Sequence, residues 1–257
     1  MPIVLKSASE IALMRSSGIV VADVHAAMRS AIAPGISTRE LDAIGYAVID
    51  GVGGEPSFLN FRGYPASTCI SVNDEVLHGI PGDRILLEGD IVSIDVGVKL
   101  NGFHADSAFT VGVGTISTAA QALIDTTEAC FWAGYRQVVE GHRLGDVARP
   151  VQALAEYSGY GVVREYTGHG VGRKMHEDPS VPNWGKPGTG SLIRRGMTFA
   201  LEPMITAGAA DTRVHPDGWT VTTVDGSLAA HYEHTIAITD DGPKLLTVAT
   251  GNKGSMV

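Results

Sequence analysis

Cysteine is nearly missing from this chain: of its 257 residues only Cys69 and Cys130 carry a thiol. Two thiols cannot build a disulfide framework, so the pair reads as reduced side chains of an intracellular protein. Charge is scarce as well. Charged residues make up 18%, against roughly 25% in an average soluble domain, and acids outnumber bases to give a formal net charge of −9. A nucleic-acid binder needs a basic stripe to displace phosphate counterions, and direct binding of nucleic acid is not expected here. Long apolar runs are lacking. Lys6, Glu10 and Arg15 interrupt the first residues, so neither a secretory leader nor the roughly 20-residue stretch of a membrane span is expected, and the cytoplasm is the expected location.

What is present is glycine, 32 residues of it, beside few aromatics (6%) and an ordinary 44% of hydrophobic residues. That mixture excludes a disordered chain and points to many turns and close backbone approaches around sheets. No linker or low-complexity stretch divides the sequence, so a single domain over residues 1–257 is expected.

A faint repeat runs through it. Ser9 can cap a helix to Ile32, stopped by Pro34-Gly35; Ser37/Thr38 with Glu40 opens a second, to about Asp50. Ser117/Thr118 then opens a helix to about Glu140, broken by Gly141, and another runs from Leu144 to Ser158. Gly35 precedes Gly89 by 54 residues and Gly141 precedes Gly196 by 55, and an acid lies six residues beyond each later glycine: Asp95 and Glu202. Paired helices and like-placed acidic strands predict an α+β domain of two pseudo-symmetric halves, each a helix pair with antiparallel strands, holding a site between them.

The segment Gly89–Val113 makes the sharpest local prediction. Ile91, Val92, Ile94, Val96 and Val98 form a β-branched strand, and Asn101-Gly102 is a two-residue hairpin turn. That register sets Leu100 opposite Phe103, Gly97 opposite Asp106 and Asp95 opposite Ala108. Asp95, Gly97 and Asp106 then share a face, with the two acids diagonal at roughly 7–8 Å. Two carboxylates that close repel unless a proton or a cation lies between them.

His169 and His176 lie in TGHGVGRKMHEDP, where Gly168, Gly170 and Gly172 allow backbone to approach a ligand or metal closely. Glu202 ends GMTFALEP and Glu233 enters HYEHTIAI, both acids beside apolar strand residues. The zinc-protease helix HExxH, the serine-hydrolase elbow and the phosphate-binding P-loop are all missing. Four acids with one imidazole make an oxygen-rich set. Such sets suit Mn, Fe or Co and can bridge two ions about 3.5–4 Å apart, which supports hydrolysis of a carbonyl substrate.

Five motifs resemble one family in order and spacing: CISVNDEVLHGIP (69–81), GDIVSIDVGVKLNGFHAD (89–106), EYTGHGVGRKMHEDP (165–179), GMTFALEPM (196–204) and YEHTIAIT (232–239). They are similar to those of type I methionine aminopeptidases, the short bacterial form, which remove initiator methionine and have the pita-bread fold. Glu202 follows His176 by only 26 positions, too few for the helical insertion of the type II enzymes. The resemblance implies Asp95, Asp106, His169, Glu202 and Glu233 as ligands of two divalent ions (Co, Mn, Fe or Zn), with Asp106 and Glu233 bridging. It implies Glu202 as general base, His176 on the scissile carbonyl and His78 on the peptide group beyond it. An apolar pocket for the methionine side chain would draw on Phe61, Tyr64, Cys69, His78 and Trp219. Met175 stands where some members carry an aromatic residue, and Gly97 where some carry threonine. His104 shares the hairpin face but is not a ligand in the family.

The activity so implied is hydrolysis of Met from nascent polypeptide N-termini when the second residue is small, by a monomer that meets the ribosome at most transiently. The alternatives are a proline-specific peptidase (Xaa-Pro aminopeptidase or prolidase), which shares fold and ligands, and a non-catalytic pita-bread protein that binds ribosome or nucleic acid.

Overall fold

A computed structural model describes residues 2–250; Met1 and residues 251–257 of the expected domain lie outside the described residues. The cap of helix α1 (Ala8–Ala31) lies two residues before the expected one. Ser7 rather than Ser9 caps it, because Ser7 has the acid three residues on that a capping box needs: the Glu10 amide donates to Ser7 Oγ, and the Ser7 amide donates to the Glu10 carboxylate. Helix α2 (Thr38–Gly51) opens on the expected Ser37–Glu40 box. Helix α3 (Thr118–Tyr135) ends well short of Glu140. The amides of Gln137 and Val138 reach back only three residues, to Gly134 and Tyr135, and this tighter turn sends Val138 into the core beside Phe131 and Leu144. Helix α4 (Leu144–Tyr157) follows as expected.

The expected pseudo-symmetry is written into the backbone hydrogen bonds. The Gly35 amide donates to Leu86 O, and the Gly141 amide donates to Ile193 O. Ser37 bridges to Ile85, and Arg143 to Leu192. The four marker glycines all adopt left-handed backbone, with φ of 98°, 93°, 94° and 83° at Gly35, Gly89, Gly141 and Gly196. Each half thus uses the same loop to bring a helix pair onto its sheet.

In the first half, strands Ile91–Leu100 and Phe103–Gly112 form a long hairpin, flanked by Cys69–Val72 and Glu55–Pro56. Val92, Ile94, Val96 and Val98 alternate onto one face and pack against Val21 and Val24 of α1 and Leu41 and Ile49 of α2. Burial of each such side chain stabilises by roughly 1.5–3 kcal/mol. By length and composition α1 is apolar enough to cross a membrane, which the sequence reading did not anticipate; no charge falls between Arg15 and Asp23. Its Met14, Val21, Val24 and Met28 are fully buried in the protein core.

In the second half the sheet order is Gly242–Leu245, His234–Thr239, Thr198–Leu201, Gly168–Gly170, Glu177–Val181, with antiparallel neighbours throughout. Phe199, Leu201 and Ile236 pack there against Phe131 of α3 and Val147 of α4. The halves are stitched along Phe103–Gly112. The Glu233 amide donates to Ala108 O at 2.9 Å, and the Asp106 amide donates to Thr235 Oγ1 at 2.9 Å.

Candidate active site

The hairpin turn forms as expected, with positive φ at both Asn101 (53°) and Gly102 (80°). Its register pairs Leu100 with Phe103, Gly97 with Asp106 and Asp95 with Ala108. Asp95 and Asp106 are therefore diagonal on the face turned away from α1 and α2. The other acids arrive from the second half. Glu202 follows the end of Thr198–Leu201, and Glu233 precedes His234, which pairs with Leu201.

His169 sits in the short strand between two glycines. A Cβ on Gly168 would overlap the Ala200 carbonyl, and one on Gly170 the Asp178 carbonyl. Both glycines thus admit the backbone of a neighbouring strand, and Gly168 also lines a cavity beside His169. The outcome is that His169 lies deep in the sheet. Its Nδ1 donates to Gly170 O at 3.0 Å, so Nε2 carries the lone pair, 3.5 Å from Glu202 Oε1 and 3.7 Å from Asp106 Oδ2. Donor atoms of Asp106, His169 and Glu233 all lie within 4.8 Å of one another.

Electrostatics make this cluster costly for the bare protein. Asp106, Glu202 and Glu233 are buried, and burial, then repulsion among the acids, pushes each carboxyl well above its usual range. Burial raises Asp95 to about 7. Asp95 Oδ1, Asp106 Oδ1, Glu202 Oε1 and Glu233 Oε1 are buried with no hydrogen-bond partner among the described residues. Orphaned oxygens converging on an imidazole lone pair are what divalent cations require, and this donor set fits them.

A cavity of about 430 Å³ opens over the cluster. All five candidate ligands line it, as do Phe61, Tyr64, Cys69, His78, His176 and Trp219. Phe61 stacks on His176 with ring centroids 5.2 Å apart, while Tyr64 meets Trp219 edge-on at 5.1 Å. The Tyr64 hydroxyl donates to Gly79 O at 2.8 Å, which satisfies it behind the wall and leaves the ring to the cavity. Cys69 pairs directly across from Asp95, and burial pushes its thiol up, so it stays a neutral packing group. Burial lowers both His78 and His176 to about 4. Both imidazoles are neutral near pH 7. His78 is held at φ 58°, a left-handed backbone rare outside glycine.

Gly97 and Met175 prove to be neighbours: a Cβ on Gly97 would stand 2.8 Å from Ser57 Cβ and 3.1 Å from Met175 Cε. Met175 packs in one cluster with Phe58, Tyr64 and Cys69 behind the pocket. His104 is tied by Nδ1 to Ser57 Oγ at 2.8 Å and does not line the cavity. Sequence reasoning missed Phe58, Tyr166 and His231, which do line it. For His231 a signal existed, since a residue two before Glu233 in extended chain shares its face.

The sequence pattern of metallopeptidase family M24 matches residues 12–240. A methionine aminopeptidase of Clostridium perfringens is 48% identical over 246 residues, covering 96% of this chain and 99% of the relative. The crystal structure of methionine aminopeptidase from Rickettsia prowazekii superimposes with a TM-score of 0.95 at 40% identity, over 96% of this chain and all of that one. A prolidase from Pyrococcus furiosus shares the fold at a TM-score of 0.76 but only 22% identity, and 65% of its own chain is covered.

Proposed function

This chain belongs to metallopeptidase family M24, among the methionine aminopeptidases, and from that premise we propose that it hydrolyses the N-terminal methionine from polypeptides whose second residue is small. Asp95, Asp106, His169, Glu202 and Glu233 would hold two divalent cations, Co, Mn, Fe or Zn. Once bound, the cations supply the positive charge that keeps the acids ionised, makes water a stronger nucleophile and polarises the scissile carbonyl. The single observation that carries this reading is the convergence of four partnerless buried carboxylate oxygens with the His169 lone pair at the base of the cavity.

The chain's own side chains divide the remaining work. Glu202 takes the proton from the attacking water and returns it to the departing amine, a role that its burial favours by raising its proton affinity. His176, neutral and braced against Phe61, donates to the carbonyl oxygen as negative charge develops there. His78, edge-on to Trp219, holds the peptide group beyond the scissile bond. Phe61, Tyr64, Cys69, His78 and Trp219 surround the methionine side chain, where a thioether packs well against ring edges. The substrates are then N-termini of nascent chains, met in the cytoplasm by a monomer whose contact with the ribosome is transient.

Purified protein loaded with Mn(II), Fe(II) or Co(II) in turn is expected to release methionine from Met-Ala-Ser and to leave Met-Leu-Ser and Ala-Pro-Ser uncut. No methionine release with any of the three metals overturns the reading; cleavage of the Xaa-Pro peptide alone moves the chain to the proline-specific peptidases.

A further inference from the structure

His231 ends the strand Ala229–His231, opposite Met204. Its main chain is fixed on both sides by one hydroxyl. The His231 amide donates to Thr110 Oγ1 at 2.8 Å, and that hydroxyl donates to His231 O at 2.9 Å. Thr110 belongs to the hairpin strand that carries Asp106, so the position of His231 is tied to that of the acids. The imidazole is 2% exposed and lines the cavity. Among the described residues Nε2 has no hydrogen-bond partner, yet it stands 3.8 Å from Glu233 Oε2.

A buried imidazole nitrogen with nothing to bond is costly unless another state of the protein satisfies it. The group within reach is the Glu233 carboxylate, two residues on and turned to the same side. We propose that His231 is a positioning residue for Glu233: its Nε2–H donates to Oε2 once the 3.8 Å gap between them closes, and so restrains the carboxylate that would help hold a divalent cation. This rests on the metal-site reading and adds to it a residue outside the five ligands. An anchored carboxylate loses less freedom on binding the ion, and supports of this kind commonly contribute about 10–100-fold in metal affinity or activity.

The test is calorimetric titration of Mn(II) into metal-stripped wild type, His231→Gln and His231→Leu, with thermal unfolding of each metal-free protein alongside. Glutamine keeps a donor at similar reach and leucine keeps only bulk. The expected result is Mn(II) affinity near wild type for His231→Gln and roughly tenfold or more weaker for His231→Leu, while the metal-free melting temperatures agree; kcat falls in the leucine variant with KM little changed. Equal affinity in all three proteins overturns the proposal, and so does an equal loss in both variants, which would mark His231 as a packing residue. If His231→Leu does not fold, His231→Asn, too short to reach Oε2, replaces it with the same expected loss. Failure of the wild type itself to bind Mn(II) would sink the metal site, an outcome distinct from any difference among the variants.

Discussion

Glu233 and Ala108 exchange backbone hydrogen bonds in both directions, the Glu233 amide donating at 2.9 Å and the Ala108 amide at 3.3 Å. Ala108 also faces Asp95 across the hairpin. One row of backbone therefore places Asp95, from the first half, level with Glu233, from the second. Neither half holds all five candidate ligands. The candidate site lies where the two are stitched, which accounts for the spread of its residues over the sequence from 95 to 233.

Crowding of acids at that seam predicts a trade between binding and stability. In Asp106→Asn the central member of the cluster loses its charge while its volume stays. Cation binding and methionine release are expected to fall below detection. The metal-free variant is expected to unfold later than metal-free wild type at pH 8, because one source of repulsion among buried carboxylates is gone. A gain of about 1 kcal/mol corresponds to roughly 2–4 °C in a chain of this size. Differential scanning calorimetry of both proteins after chelation decides it, and a lower melting temperature for the variant would contradict this account of the bare site.

Gly97 and Met175 make a coupled pair. Ser57, Phe58 and Met175 already fill the space a side chain at 97 would need. Gly97→Ala is expected to destabilise by about 1–3 kcal/mol through overpacking. Shortening the neighbour in Gly97→Ala/Met175→Ala should recover part of that, so the double variant is less destabilised than the two single changes summed. Chemical denaturation of the four proteins of the cycle measures the coupling; strict additivity would mean that the contact carries no energy.

Much of this arrangement was legible because it is local. The Asn101-Gly102 turn and the hairpin register depend on two adjacent residues and a period of two, and the Ser37–Glu40 box on a spacing of three; each formed as read. Ser7 rather than Ser9 caps α1 by the same spacing rule, applied two residues earlier. The early end of α3 was not legible, since it depends on Val138 finding Phe131 and Leu144, a choice made by the core. The Gly97–Met175 contact and the use of the glycines around His169 are likewise settled by chain brought from far away in sequence. His231 lies between these cases: its face follows from its distance to Glu233, but its missing partner shows only in three dimensions.

The symmetric loops offer a comparison inside one molecule. Gly35 and Gly141 hold φ of 98° and 94°, and a Cβ at either would meet nothing within 4 Å. Any cost of Gly35→Ala or Gly141→Ala therefore comes from backbone conformation alone, about 1–2 kcal/mol. The two variants are expected to lose equal stability in urea denaturation. A neutral effect at one position and a large one at the other would show that the halves differ in strain despite their matched hydrogen bonds.

The last prediction concerns acid. His25, on α1, turns its ring edge toward Phe109 at 4.8 Å, and its Nε2 is buried with no partner among the described residues. Burial first, then the nearby His234 and Arg29, lower its pKa from 6.5 to about 3. The unfolded chain takes up a proton at His25 below about pH 6.5 and the folded protein does not. Its contribution is therefore complete above that pH and erodes as pH falls toward 3. Between pH 7.5 and 5.0 the loss from this one residue is on the order of 1–2 kcal/mol. In His25→Leu the proton-binding site is gone, so the fall in urea midpoint over that interval should be shallower than in wild type. It will not vanish, because half-buried His234 and buried His231 are lowered in the same direction, to about 4 and about 3. Identical slopes for variant and wild type would mean that His25 is solvated enough to protonate in the folded state, and that the contact between α1 and the hairpin is looser than its packing indicates.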